Sequence, residues 1–487
     1  MKNCISALAI SGMFLIAIFS GCVGNNANFQ NGGRKAVLIE YNYPAQAPPV
    51  ASVASSTGTD CKLTETIVQG DDPIDAYVLE NEYLYLTLMQ GWGAKVYQCI
   101  FKPTGHDFAW KNDYARLLDP TQKEGREGLI WQEYEIGGFD DCLPTVGGCN
   151  WNGRYIPDHG EAWLDVWTVT DVQNNANSVS VKMSCTLESS PFTIEKTLTL
   201  FRGESRYLRH YKITNIGNST EEFMWADHAS INPGGDTNEG DRIYLPTGTG
   251  LMVYASNGDR MGERGDMVSW PIANTANGET VDLSVLGPNN LMTYEKYFTL
   301  PLSEGWVAAA DPVTTEALAF TWPVSAMPYA GVWISQGGHR GYSQIALEAT
   351  NAWGDCLNES VERFGKYGSL DAGKSLEFDI WTSVCGGIDN VARVTPAGTY
   401  IQKAIAIENS MIVGEISAPV AGTIEIVYAP LSSLPLPVPV EYTVTTINAD
   451  PRSAAAISTD ASLPGTYTVT LNGGYGQDPE ILAVLEV

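Results

Sequence analysis

Four stretches of this 487-residue chain concentrate side chains able to move protons or hold polar ligands. The first, Gly137-Gly138-Phe139-Asp140-Asp141-Cys142-Leu143-Pro144, runs through a Gly-rich loop to the second, Asp158-His159-Gly160-Glu161-Ala162-Trp163. The third, from Met224 to Pro246, carries Trp225, Asp227, His228 and Asp241 between two strand-like runs. The fourth, Gly341-Tyr342-Ser343-Gln344-Ile345-Ala346-Leu347-Glu348-Ala349-Thr350, sets one carboxylate in an apolar run and leads into Trp353. Histidine and glutamate are the side chains that exchange protons near neutral pH when they are suitably placed. Glu348, preceded by Ile345, Ala346 and Leu347, is compatible with a pKa raised by burial. A charge on a buried strand is unfavourable without a role, and this singles out Glu348.

Each of these residues also has a plainer reading. His228 follows Asp227 and can be a structural imidazole fixed by that neighbour. His159 precedes Gly160, where a glycine can simply close a turn. Asp241-Arg242 before a strand is an ordinary turn sequence. Trp151, Trp163, Trp167, Trp225, Trp333 and Trp353 all lie near the four stretches. Flat apolar rings suit the apolar faces of sugars, but most of these six are expected in the core, with one or two exposed at a site.

The elements that must carry these residues read as strands. From Cys61 to about Ile388, strand-like runs recur between Gly, Pro and Asn breaks, among them Tyr83 to Met89, Ala94 to Ile100, Phe192 to Phe201, Tyr207 to Thr214 and Ser375 to Thr382. Alternation such as Ser178-Val179-Ser180-Val181-Lys182-Met183 marks sheets with one buried face. A β domain of this length predicts a large antiparallel β-sandwich over 61–390. Near Asn390 the composition changes: 391–487 contains neither Trp nor His and is rich in Val, Ile, Ala, Thr and Pro. Strand-like runs at Thr423 to Tyr428, Tyr442 to Ile447 and Thr466 to Leu471 fit a second, immunoglobulin-like sandwich of roughly a hundred residues. The alternating prolines at 435, 437 and 439 forbid a central strand there.

Charge and cysteine usage bound the partners and the address. A formal net charge of −28 and a pI near 4.4 would repel polyanions, so nucleic acid is excluded as a partner. Residues 1–22 have the layout of an export signal: Lys2, an apolar run from Ile5 to Phe19, then Phe19-Ser20-Gly21-Cys22. Small residues before Cys22 resemble a lipobox, which predicts lipidation at Cys22, a membrane tether through it, and an exported or membrane-anchored protein. Residues 23–60 read as that tether. The later cysteines are Cys61, Cys99, Cys142, Cys149, Cys185, Cys356 and Cys385, and a local Cys142–Cys149 disulfide is expected. No cysteine or histidine spacing matches a zinc motif, so neither metal nor organic cofactor is expected.

The order of the motifs resembles the galactose mutarotase-like superfamily, whose members include aldose 1-epimerases and hexose-phosphate epimerases. The likeness rests on Gly93-Ala94-Lys95-Val96 and Thr104-Gly105-His106, the His159-Gly160 pair, His228 after a strand, and Glu348 late at a strand end, and it spans roughly 64–388. The resemblance implies a large antiparallel sandwich with its site on a concave face. It also implies that Glu348 takes the proton of an anomeric hydroxyl, that His228 protonates the ring oxygen, and that His159 holds or polarises the sugar. Asp241, Trp163, Trp225 and Trp353 would then contact the sugar. Ring opening independently needs one proton removed and one delivered across the same bond. In the hexose-phosphate branch an arginine ends the His-Gly segment and another precedes the Gly-Gly pair. Here those positions are Trp163 and Ile136. Loss of both cations argues for an unphosphorylated sugar or a neutral glycan. Two other readings remain: a non-catalytic glycan-binding or surface-assembly protein on the same fold, and a polysaccharide lyase or hydrolase on a similar sandwich.

Overall fold

The computed structural model describes residues 60–112, 115–120, 135–234, 238–247, 250–339, 341–431, 441–474 and 478–487, all within the unit Ala45–Val487. The export signal, Cys22, the tether before residue 60 and the proline run at 434–440 lie outside the described residues. Among the described residues, no helix is long and apolar enough to cross a membrane.

Two antiparallel sheets build the main body. The larger has twelve strands, running in the order Lys62–Val68, Ile74–Glu80, Leu84–Met89, Lys95–Phe101, Phe139–Cys142, Ala226–Ile231, Ser343–Thr350, Tyr329–Gln336, Thr293–Thr299, Leu251–Ser256 and Met267–Val268, with His106–Asp107 beside Lys95–Phe101. The second has eight, from Arg242–Tyr244 through Gly305–Asp311, Glu316–Trp322, Ser375–Gly386, Arg206–Asn215, Phe192–Phe201 and Ser178–Thr186 to Thr168–Asn174. The all-β sandwich read from the sequence is the architecture observed. In Ser178–Thr186 and Phe192–Phe201 burial alternates residue by residue, as the sequence predicts for strands with one face in the core. The central strands of the large sheet differ. Ala226–Ile231 is buried along its whole length, and Ser343–Thr350 along all but its first residue. One face of these strands meets the second sheet and the other meets loops, so both are covered.

Polar pairs span the space between the sheets. The Arg209 guanidinium grips the Asp227 carboxylate through two hydrogen bonds of 2.6 Å, with both side chains fully buried. Lys196 donates to Asp141 at 2.5 Å, and the Tyr211 hydroxyl donates to the same carboxylate at 2.7 Å. Such pairs are tolerated in a core because every charge is met by an opposite one and by further hydrogen bonds.

Beyond residue 390 two four-stranded sheets face one another. One orders Arg393–Val394, Tyr400–Glu408, Met411–Ser417 and Ala455–Asp460; the other orders Tyr442–Ala449, Gly422–Pro430, Gly465–Gly473 and Glu480–Glu486. Ile412, Ile416, Ile424, Ile426, Val469 and Leu471 form their shared core. A separate apolar cluster joins this part to the main body: Trp306, Ala308, Ala317 and Ala319 pack with Val391, Val394 and Tyr400. The expected Cys142–Cys149 disulfide is absent. Both thiols are free, and they sit in different apolar clusters, Cys142 with Met224 and Ala226, Cys149 with Ile156 and Leu357.

Candidate active site

Residues directly opposite one another in an antiparallel ladder share a face of the sheet. Asp140 stands opposite His228. The ladder between the next two strands pairs Ala226 with Thr350 and Ala229 with Leu347, which sets His228 beside Glu348. Glu348 is opposite Gly331, and Gly331 is opposite Phe298. One row across five strands therefore reads Asp140, His228, Glu348, Gly331, Phe298. Two residues along, a second row reads Ser230, Ala346, Trp333, Lys296.

Neighbours in sequence point the other way. Asp141 and Asp227 face the second sheet, where they meet Lys196 and Arg209. This settles the plainer reading of His228: Asp227 is committed to Arg209 on the opposite face and does not hold the imidazole.

His159 reaches the same row from the loop after the short strand Arg154–Ile156. Its ring centroid lies 4.7 Å from that of His228, with the planes at 87°. His159 has φ +64° and Gly160 φ +73°. A Cβ at Gly160 would fall 2.2 Å from the Leu143 carbonyl oxygen, so the glycine is needed for the loop to pass close to that strand end. The left-handed conformation of His159, unusual for a residue with a side chain, is held by that packing and turns the imidazole toward His228.

Glu348 is wholly buried. Its Oε1 accepts from the Lys296 ammonium and lies 3.7 Å from His228 Nε2. Its Oε2 has no hydrogen-bond partner among the described residues. Gly331, directly across the ladder, has no side chain to fill the space there: a Cβ at that position would come within 2.8 Å of Oε2. Lys296 also lies 3.5 Å from Asp355, which arrives from the loop after the Glu348 strand. On the far side of the row, Lys95 pairs with Asp140 at 2.7 Å and donates to the Gly137 carbonyl.

Burial pushes the Glu348 carboxyl above the ordinary carboxylate range, with Lys296 offsetting part of the effect. Burial, then the neighbouring His159 and the Lys296 ammonium, holds His228 well below the ordinary imidazole value. For Lys296 burial acts downward, but Asp355 and Glu348 outweigh it, and the ammonium is held above its usual pKa. Next to this row Gln344 donates to Glu135 at 2.7 Å and to Ser230 at 3.2 Å, and accepts from Trp333 Nε1 at 3.2 Å. The Trp333 ring, half-buried, is thus fixed at its edge on the same face as Glu348. It stands on that face beside Gly331, Ser230 and Ala346, all three buried.

The structure therefore brings His159, His228 and Glu348 together and leaves other expected residues elsewhere. Asp241 has Asp311, Gly234 and Asn238 as neighbours, at the edge of the second sheet. The Trp225 ring packs between the sheets against Tyr211 and Phe378, at 5.1 and 4.8 Å, so it is a core residue and lies off the face that carries Glu348. Trp163, almost completely buried, backs His159 at 5.9 Å. Trp353 is half-buried, donates to the Thr299 carbonyl at 2.9 Å and packs with Met252, Tyr254 and Phe298 at one end of the face. Lys296 and Gly331 stand on the same face and were not singled out by the motifs, and Trp333, named there only among six tryptophans, stands with them. Lys296 sits in Thr-Tyr-Glu-Lys-Tyr-Phe-Thr, where Glu295 carries an equal signal yet pairs with Arg260 instead. Among the described residues no group of three His, Cys, Asp or Glu side chains could hold a metal ion.

No family model and no curated protein matches this chain. Solved structures do. A protein from Klebsiella pneumoniae, described as a candidate aldose 1-epimerase, superposes with a TM-score of 0.51 at 14% identity, covering 67% of this chain and 84% of its own. At a TM-score of 0.47, a galactose mutarotase-like protein from Clostridium acetobutylicum shares 9% identity over 68% of this chain and all of its own. A Synechocystis protein, also at 0.47, shares 17% over 64% and 96%. The antiparallel supersandwich, with its polar row on the face turned away from the second sheet, is a galactose mutarotase-like fold.

Proposed function

We propose that this protein acts on carbohydrate, interconverting the anomers of an unphosphorylated sugar at the polar face that carries His159, His228, Glu348 and Trp333. The observation that carries the reading is convergence: His228 and Glu348 lie side by side in one row of the sheet, and His159 meets His228 from a separate loop. Glu348 Oε2, free of hydrogen-bond partners among the described residues, takes the proton of the anomeric hydroxyl. The bond from the anomeric carbon to the ring oxygen breaks as that oxygen receives a proton from His228, with His159 against it. Rotation about the bond next to the anomeric carbon and reclosure return both protons. The raised carboxyl is a stronger base than a solvated one and the depressed imidazolium a stronger acid. Productive molecules carry ionised Glu348 and protonated His228, so rate should follow a bell in pH. The two lysines of this face are each paired, Lys296 with Glu348 and Asp355, Lys95 with Asp140, and this supports a neutral sugar over a phosphorylated one.

Saturation-transfer NMR on a panel of free aldoses tests the reading. The expected result is anomer exchange faster than buffer for at least one sugar, lowered about 100- to 10,000-fold in Glu348→Gln. Exchange no faster than buffer across the panel overturns it. A second reading, glycan binding without turnover, is favoured by the tight hold of Lys296 on Glu348; saturable binding with no exchange would select it.

A further inference from the structure

The seven cysteines past the amino-terminal segment take no part in the proposed chemistry, and two of them meet beside the site. Cys149 opens the strand Cys149–Trp151, and Cys356 precedes the short helix Leu357–Glu359; the strand and helix touch. Both cysteines belong to one small apolar cluster with Ile156, Leu357, Trp151 and Val361. The Cys356 thiol lies 3.8 Å from the carbonyl of Gly148, the residue just before Cys149. The Thr145 hydroxyl lies 3.8 Å from Cys149 Sγ, donates to the Asp355 carbonyl at 3.1 Å and accepts from the Leu357 amide at 3.0 Å. The backbone on both sides of Cys356 is therefore already tied to the segment that holds Cys149.

We infer that Cys149 and Cys356 form a disulfide when the chain folds in an oxidising environment, clamping together the two loops that bring His159 and Asp355 to the site. Val146 and Gly147 donate to the Asp355 carbonyl at 2.9 and 2.7 Å, and the His159 amide donates to the Val146 carbonyl, so one covalent link here fixes both loops at once. Chemically, one thiolate attacks a disulfide donor of the thiol–disulfide oxidoreductase or glutathione-disulfide class. The second thiolate then displaces the donor sulfur. Both cysteine sulfurs are oxidised, two protons leave, and the donor departs as a dithiol or two thiols. In the folded chain burial holds the Cys356 thiol up to about 12, which keeps the thiolate scarce. The bond should therefore form during folding, before the cluster closes.

The test refolds the full chain from the reduced, denatured state with reduced and oxidised glutathione, then blocks remaining thiols without reductant and maps peptides by mass spectrometry. The expected result is a linked Cys149–Cys356 peptide whose mass is lower by two hydrogens, and a melting temperature that falls by roughly 5 °C or more on reduction. Cys149→Ser should leave Cys356 open to alkylation and abolish the reduction-sensitive shift, while Cys142→Ser should keep both. Recovery of Cys149 and Cys356 as blocked thiols, or of either joined to another cysteine, overturns the proposal. Anomer exchange plays no part in this readout, so the inference stands or falls apart from the proposed function.

Discussion

Lys296 touches Glu348 and Asp355 at once, and removing its charge should report on both the chemistry and the fold. Without the ammonium, ionised Glu348 loses its counterion and protonated His228 loses a repulsive neighbour. Both pKa values then rise, and the whole pH–rate bell of Lys296→Met should move to higher pH. A role for Lys296 in packing alone would leave the bell in place. The variant also strands a buried carboxylate, at a cost of about 3–5 kcal/mol by urea unfolding. Because the folded Glu348 pKa lies above the unfolded one, its contribution to stability is full at acid pH and is lost as pH rises through the raised value. That loss should extend further toward alkaline pH in the variant. Asp241 offers a second test of the same kind. Burial, with Asp311 adding to it, pushes its carboxyl up to about 8, so it keeps its proton at neutral pH. Its stability contribution is present below about pH 4 and is lost between there and about 8. Asp241→Asn should therefore stabilise the protein at pH 8, by about 1–3 kcal/mol, and gain nothing at pH 3.5. Thermal unfolding at the two pH values measures the difference.

At the scale of elements, the ladder decides what each dipeptide does. Asp140-Asp141 and Asp227-His228 each place one side chain in the site row and one in the inter-sheet core, because alternate residues of a strand face opposite sides. Asp227→Asn should thus destabilise by about 3–5 kcal/mol through the unpaired Arg209, yet leave the rate of the folded fraction near that of the parent. Gly331→Ala should behave in the reverse way. Its methyl would meet the Glu348 side chain rather than backbone, so the fold should persist while exchange falls at least about 10-fold, as the misplacement of one reacting group does. Equal losses of stability and rate in both variants would show that the two faces are not separable.

At the scale of the molecule, the part beyond residue 390 covers an apolar face of the second sheet. Tyr400 is fully buried and donates to the carbonyls of Ser383 and Ala317, at 2.8 and 3.2 Å, while Val391 and Val394 cover Trp306 and the alanines beside it. Removing 391–487 would bare that patch, and the shortened chain should self-associate, as light scattering would show. A monodisperse shortened chain would assign this contact no structural importance. The formal net charge of −28 acts at the same scale: it disfavours the approach of polyanions and selects no partner for the polar row.

Local chemistry was enough for much of this. Alternating apolar residues fix strands and their buried faces, so the sandwich could be read from runs such as Ser178 to Met183. The placing of Glu348 in an apolar run marked it as a candidate site residue, because burying a charge without a role is unfavourable. The same reasoning could not separate Lys296 from Glu295, Asp227 from His228, or Trp333 from Trp225. Those distinctions depend on which face a residue takes and which strand lies beside it. Register and strand order are set by packing between segments far apart in sequence. The strand order places Phe139–Cys142, Ala226–Ile231 and Ser343–Thr350 side by side, and only that adjacency turns Asp140, His228 and Glu348 into a common row, which His159 meets from its loop.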